Sequence, residues 1–100
     1  MTDKVRMEIA TAVALYMQGL NIDFSSKGGK ALFCIACAAS EKNNDAEPWG
    51  AARMAHDYAA FIGSTQTAVW QNMWRALQKA AWSGTVSEAI YRLAGWGGSA

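Results

Sequence analysis

An all-α domain is the fold class this sequence predicts, and three observations predict it. Apolar residues recur at three- and four-residue steps, alanine is abundant, and runs of β-branched residues are absent. The chain has 100 residues, 52% of them hydrophobic and 17% charged, with a single proline. That composition excludes a disordered chain, a collagen-like repeat and a multidomain enzyme. It fits one compact helical domain over residues 1–100, built from about five or six helices.

The elements follow in order. A first helix is expected from about Asp3 to Gln18, with Asp3 capping its start and Gly19 taking the left-handed position that ends it. Val5, Ile9, Ala12, Val13 and Tyr16 make its apolar stripe. A connector follows from Leu20 to Lys27, pinned to the core by Ile22 and Phe24. A second helix is expected to start near Ser26 or Gly28 and to end around Glu41. Its stretch Ala31–Ala39 is apolar almost all round, which predicts a central, buried helix. The polar stretch Lys42–Pro48 reads as a loop.

A third helical stretch is expected from about Trp49 to His56, with a break or bend before a short helix from Asp57 to Ile62. Gly63 suits the left-handed end of that helix, and Ser64 or Thr65 the N-cap of the next. The next helix carries the longest periodic pattern, Gln66 to Ser83, with Gly84 as its stop. On it Trp70, Trp74, Leu77 and Ala81 share one face, and Gln71, Asn72, Arg75, Gln78 and Lys79 the other. Ser87 is the expected cap of a last short helix through Leu93, and residues 95–100 read as a flexible tail.

The same residues narrow the function classes. Nine Lys and Arg against eight Asp and Glu leave a formal charge of +1, so charge alone advertises no partner. No apolar run approaches the roughly 18 to 20 residues a membrane helix needs, and the N-terminus lacks a signal-peptide layout. The expected location is the cytoplasm. Cys34 and Cys37, the only two cysteines, sit three apart inside an apolar helix and read as small core residues. His56 has no second His or Cys pair to share a metal with. Gly28-Gly29-Lys30 lacks the spacing of a phosphate loop, and no serine sits in a nucleophile elbow. The sequence thus predicts no catalytic residues, no metal, no cofactor and no small-molecule substrate.

One arrangement does carry chemistry. A short helix, a Gly-containing turn and a longer helix with polar groups along one side, over about residues 56–83, have the layout of a helix-turn-helix. In the second half, Ala55-His56-Asp57-Tyr58-Ala59-Ala60-Phe61-Ile62-Gly63-Ser64-Thr65 is followed by Met73-Trp74-Arg75-Ala76-Leu77-Gln78-Lys79-Ala80-Ala81-Trp82-Ser83-Gly84. This resembles the C-terminal DNA-binding domain of the stage-zero sporulation response regulator family. That family pairs isoleucine and arginine in its recognition helix, with an Ala-Trp-Ser segment and a glycine downstream. Here Arg75, Ala81, Trp82, Ser83 and Gly84 match, and Trp74 stands where the family has isoleucine. Gly19, Lys27-Gly28 and Leu32–Ala38 extend the likeness more loosely, so it covers about Ile9 to Leu93. Basic residues that the family carries at positions matching Val69 and Asn72 are missing, as is the acidic one matching Gln71.

The resemblance implies an effector domain standing alone, without a receiver domain, that binds duplex DNA in the major groove and regulates transcription. On that reading Gln71, Asn72 and Arg75 are the expected base contacts. Thr65, Gln66 and Lys79 turn towards the phosphate backbone. Lys27, Lys30, Arg53, Arg75, Lys79 and Arg92 are the candidates to neutralise phosphates, and Asp57 and Glu88 offset part of that charge, so a homodimer would supply the charge that one copy lacks. The competing reading is a helical protein-interaction module that keeps the fold, has lost DNA binding, and uses apolar surface near Trp49 and Trp96.

Overall fold

The computed structural model describes residues 2–41 and 50–95. They form five helices: α1 (Asp3–Gly19), α2 (Lys27–Glu41), α3 (Ala51–Ile62), α4 (Gln66–Lys79) and α5 (Val86–Leu93), with no strand among the described residues. The expected loop 42–48, Trp49, and the tail from Trp96 onward lie outside the described residues.

α2 is the hub, as its apolar character predicts. It packs against every other helix, and its largest interface is with α4. Small residues are buried along α2: Gly28, where α4 comes close, Gly29, where the connector at Asp23 does, and Ala31, Ala36 and Ala39. Around them Val13 and Met17 of α1, Leu32 and Ile35 of α2, Met73 of α4, and Ile90 and Leu93 of α5 fill the centre. No polar or charged side chain is buried among the described residues. The core is therefore held by apolar burial alone.

Several local expectations are corrected. Thr2, not Asp3, caps α1 through its Oγ1, which accepts from the Val5 amide at 3.3 Å. Gly19 stays within the helix, and Asn21 takes the left-handed position at φ 59°. There the Ile22 amide donates back to Met17 at 3.0 Å, which brings buried Ile22 over buried Met17. The α1 stripe is also narrower than expected. Val13 and Met17 are buried and Ile9 is half-buried, whereas Val5, Ala12 and Tyr16 face out. In the connector Ile22 is buried, but Phe24 rests at the surface edge-on to Phe33, with ring centroids 6.0 Å apart.

α3 runs unbroken through the expected bend at His56-Asp57. Ala51, Ala55 and Ala59, one turn apart, keep a continuous buried stripe with Met54, while His56 and Asp57 point outward and lie 3.5 Å apart. Gly50 offers α3 no side-chain cap. The Tyr91 hydroxyl of α5 fills that role, accepting from the Ala51 amide at 3.3 Å. Gly63 ends α3 in the left-handed conformation, as expected, at φ 72°.

α4 stops at Lys79, short of Ser83, and Gly84 is not its terminator. Ala81 adopts the left-handed turn at φ 60°, and the Trp82 amide donates to Leu77 at 3.0 Å. Alanine pays a penalty of roughly 1 kcal/mol for this conformation. Docking of Trp82 offsets it. The ring packs against the core and its Nε1–H donates to the Thr85 carbonyl at 3.0 Å. Thr85, rather than Ser87, then caps α5, accepting from the Glu88 amide.

Candidate functional site

The turn between α3 and α4 is short, comprising Gly63, Ser64 and Thr65. Thr65 Oγ1 accepts from the Ala68 amide at 3.1 Å and so fixes where α4 begins. Gln66 is half-buried, and its Nε2 donates to the Ala52 carbonyl of α3 at 3.0 Å. It acts as a brace that sets α4 against α3, and one of its two amide N–H donors is thereby engaged.

The buried side of α4 consists of Val69, Met73, Ala76 and Leu77. This corrects the expected assignment of Trp70, Trp74 and Ala81 to the core face. Trp70 is half-buried at the edge, Ala81 is exposed, and Trp74 is 51% exposed. The physical reason is phase. Val69 and Met73 form a stripe directly beside Trp70 and Trp74, and it is this stripe that faces the core. Leu77 belongs to the core, as expected.

The outward face of α4 is therefore centred on Gln71, Arg75 and Gln78, all exposed, with Trp74 on one flank and Lys79 on the other. Asn72 departs from the expected open position. It is half-buried and lines a cleft with Lys27 and Lys30 of α2. The six candidates thus divide into a capping threonine, a bracing glutamine, an asparagine at the α2 border, and the outward group Gln71, Arg75 and Lys79. Near Lys79, Asp23 is held ionised below the usual carboxylate range, first by hydrogen bonds from the Ser25 hydroxyl and amide and then by Lys79 itself. Two features escaped sequence reasoning. Trp74 joins the outward surface, and Lys27 and Lys30, two of the cations expected to neutralise phosphates, share a cleft with Asn72 of α4 although α2 lies far away in sequence. The only sequence signal for the second was Gly28, whose lack of a side chain marks a close approach.

No protein-family model, curated protein or solved structure matches this chain.

Elsewhere the surface offers little acid–base chemistry. No cluster of three metal-ligating side chains occurs among the described residues, and no described helix is long and apolar enough to cross a membrane. The cysteines differ from each other, which corrects the expectation of two core thiols. Cys34 is exposed and lines an apolar cleft between α2 and α3, beside Met54 and Phe61, whereas Cys37 is half-buried. Desolvation pushes both thiols up, Cys37 to about 11 with added repulsion from Cys34 and Glu41. At pH 7 that leaves about one Cys37 in ten thousand as the reactive thiolate. Alkylation is expected to modify Cys34 first, and both rates should climb as pH rises from 7 to 10. A mass-spectrometric time course checks this, and equal or pH-independent rates would contradict it.

Proposed function

We propose that this protein is a cytoplasmic DNA-binding protein that reads duplex DNA through α4 and regulates transcription, in the manner of the sporulation-regulator effector domain its sequence resembles. It is a binder and not an enzyme. The observation that carries the reading is the outward face of α4. Gln71 and Arg75 stand exposed one turn apart, on a helix that follows a three-residue turn and is braced against α3 by Gln66. These are the side-chain types that recognise adenine and guanine edges in the major groove. Trp74 beside them adds an apolar surface suited to a thymine methyl group. Asn72 sits half-buried at the border of this face, beside the cleft that Lys27 and Lys30 line.

Selection from genomic sequence with the purified protein is expected to enrich a motif. Arg75→Ala should then relax preference at one base pair, costing roughly 1–3 kcal/mol of discrimination. Lys79→Ala should weaken binding to all sequences alike and flatten the salt dependence by about one unit of slope. Equal affinity for selected and scrambled duplexes across a salt series, unchanged by Arg75→Ala, would remove the sequence-specific reading.

A protein-interaction module is the second reading, favoured by the apolar surface around α3. Phe61 is 87% exposed and Ile62 adjoins it at 48%. Trp49 and Trp96, the residues first expected to form such a surface, lie outside the described residues. Absence of an enriched motif at low salt would leave this reading ahead.

A further inference from the structure

We propose that the cleft between α2, the α3–α4 turn and α4 seats a phosphate group, and that in the DNA complex this group belongs to the duplex backbone. The cleft has a volume of about 400 Å³; its polar lining is Lys27 and Lys30 of α2, Tyr58 of α3, Ser64 of the turn and Asn72 of α4, and the rest of its wall is apolar. That is the lower end of the size range of small-ligand sites, with room for a phosphate and its attached sugar. Its polar groups come from four separate elements and converge through tertiary packing. Lys27 and Lys30 are one turn apart, so both ammonium groups reach the same side of α2. Both are exposed, and neither forms an ion pair with a described carboxylate. No Asp or Glu lines the cleft.

Chemistry decides which ligand fits. Two cations with a hydroxyl and an amide provide donors on several sides and no competing negative charge, which matches a tetrahedral oxyanion. The Ser64 hydroxyl and the Asn72 amide give the site direction, and the lysines supply charge. Location decides the source. Asn72 links the cleft to the α4 face that carries Gln71 and Arg75, so a phosphate held here would flank the groove that α4 enters. The cleft would then fix the register of the protein on the duplex, while the α4 face reads the bases.

This inference rests on the DNA reading for its ligand, and the experiment separates the two. The double variant Lys27→Gln/Lys30→Gln is compared with the parent on selected and scrambled duplexes across a salt series. Circular dichroism and thermal melting verify its fold, which should persist because both side chains are exposed. The expected result is weaker binding by the same factor on both duplexes, unchanged base preference, and a salt slope lower by about two. Parent-like affinity and slope in the double variant would overturn the phosphate site and leave the DNA reading intact. In parallel, inorganic phosphate is titrated into the free parent and the amides of Ser64, Ala68 and Asn72 are followed by NMR. If the parent binds no duplex, yet phosphate shifts these amides in the parent and not in the double variant, the site stands with a free phosphorylated molecule as its ligand and the DNA reading falls. If neither duplex nor phosphate binds, both fall.

Discussion

Met73→Ala is expected to lose about 2–5 kcal/mol of stability, whereas Trp74→Ala, one residue on, should change stability by less than about 1 kcal/mol. Met73 is fully buried in the centre of the core, and Trp74 is 51% exposed. Truncating Met73 leaves a void among side chains that cannot all collapse into it. Truncating Trp74 removes a ring that is half in water already. For a domain of this size each kcal/mol moves the midpoint by roughly 4–8 °C, so the Met73 variant should melt at least about 8 °C below the parent. Thermal unfolding of the two variants side by side gives the answer. The reverse order would mean that α4 is rotated by about one residue and that the outward face is misassigned. On the DNA-binding reading proposed above, Trp74→Ala should show its effect instead in duplex affinity.

Gly28→Ala is expected to be destabilising by about 3 kcal/mol, despite the gain in helix propensity of about 1 kcal/mol that alanine brings to an exposed helical site. A Cβ built on Gly28 overlaps the Asn72 carbonyl of α4 and comes within 2.9 Å of the Ala76 Cβ. Backbone cannot swing aside as a flexible side chain can, so α2 and α4 must separate across the largest interface in the fold. Gly19→Ala is the matched control. Its Cβ would meet nothing within 4 Å and its backbone is helical, so it should be neutral or slightly stabilising. Chemical denaturation of both variants tests the pair. A Gly28 variant as stable as the parent would show that the α2–α4 contact is looser than described. Because Asn72 lines the cleft with Lys27, the proposed phosphate site predicts that the same substitution weakens phosphate binding there as well.

The all-α class, the central place of α2, the Gly63 turn and a cap at Ser64 or Thr65 were legible in the sequence, because each follows from local chemistry. Periodicity and composition specify helices, an uninterrupted apolar run specifies a helix covered on several sides, and glycine and threonine favour particular backbone positions wherever they fall. The same local rules misplaced two helix ends. Glycine was the cheapest residue for the left-handed turns after α1 and α4, yet Asn21 and Ala81 occupy them. What decides those positions is where Ile22 and Trp82 must land to cover Met17 and Leu77, and local propensity does not contain that information.

The candidate site divides along the same line. Gln71, Arg75 and Lys79 could be read as an outward polar face because helical phase alone separates them from Leu77. Size misled the choice between two adjacent apolar stripes. A tryptophan looks like core by area, but the buried stripe of α4 is Val69, Met73, Ala76 and Leu77. Gln66 as a brace, Tyr91 as the cap of α3, and Lys27 and Lys30 beside Asn72 each join residues from different helices. By itself, then, the sequence determined which segments coil, roughly where they turn, and that one face of α4 is polar, since these depend on neighbours within a few residues. Only the tertiary structure decided which apolar stripe is buried, which polar groups are spent on bracing, and which lysines accompany α4. Those depend on helices approaching through space, and for α2 against α4 the approach requires Gly28, where a Cβ would overlap the Asn72 carbonyl.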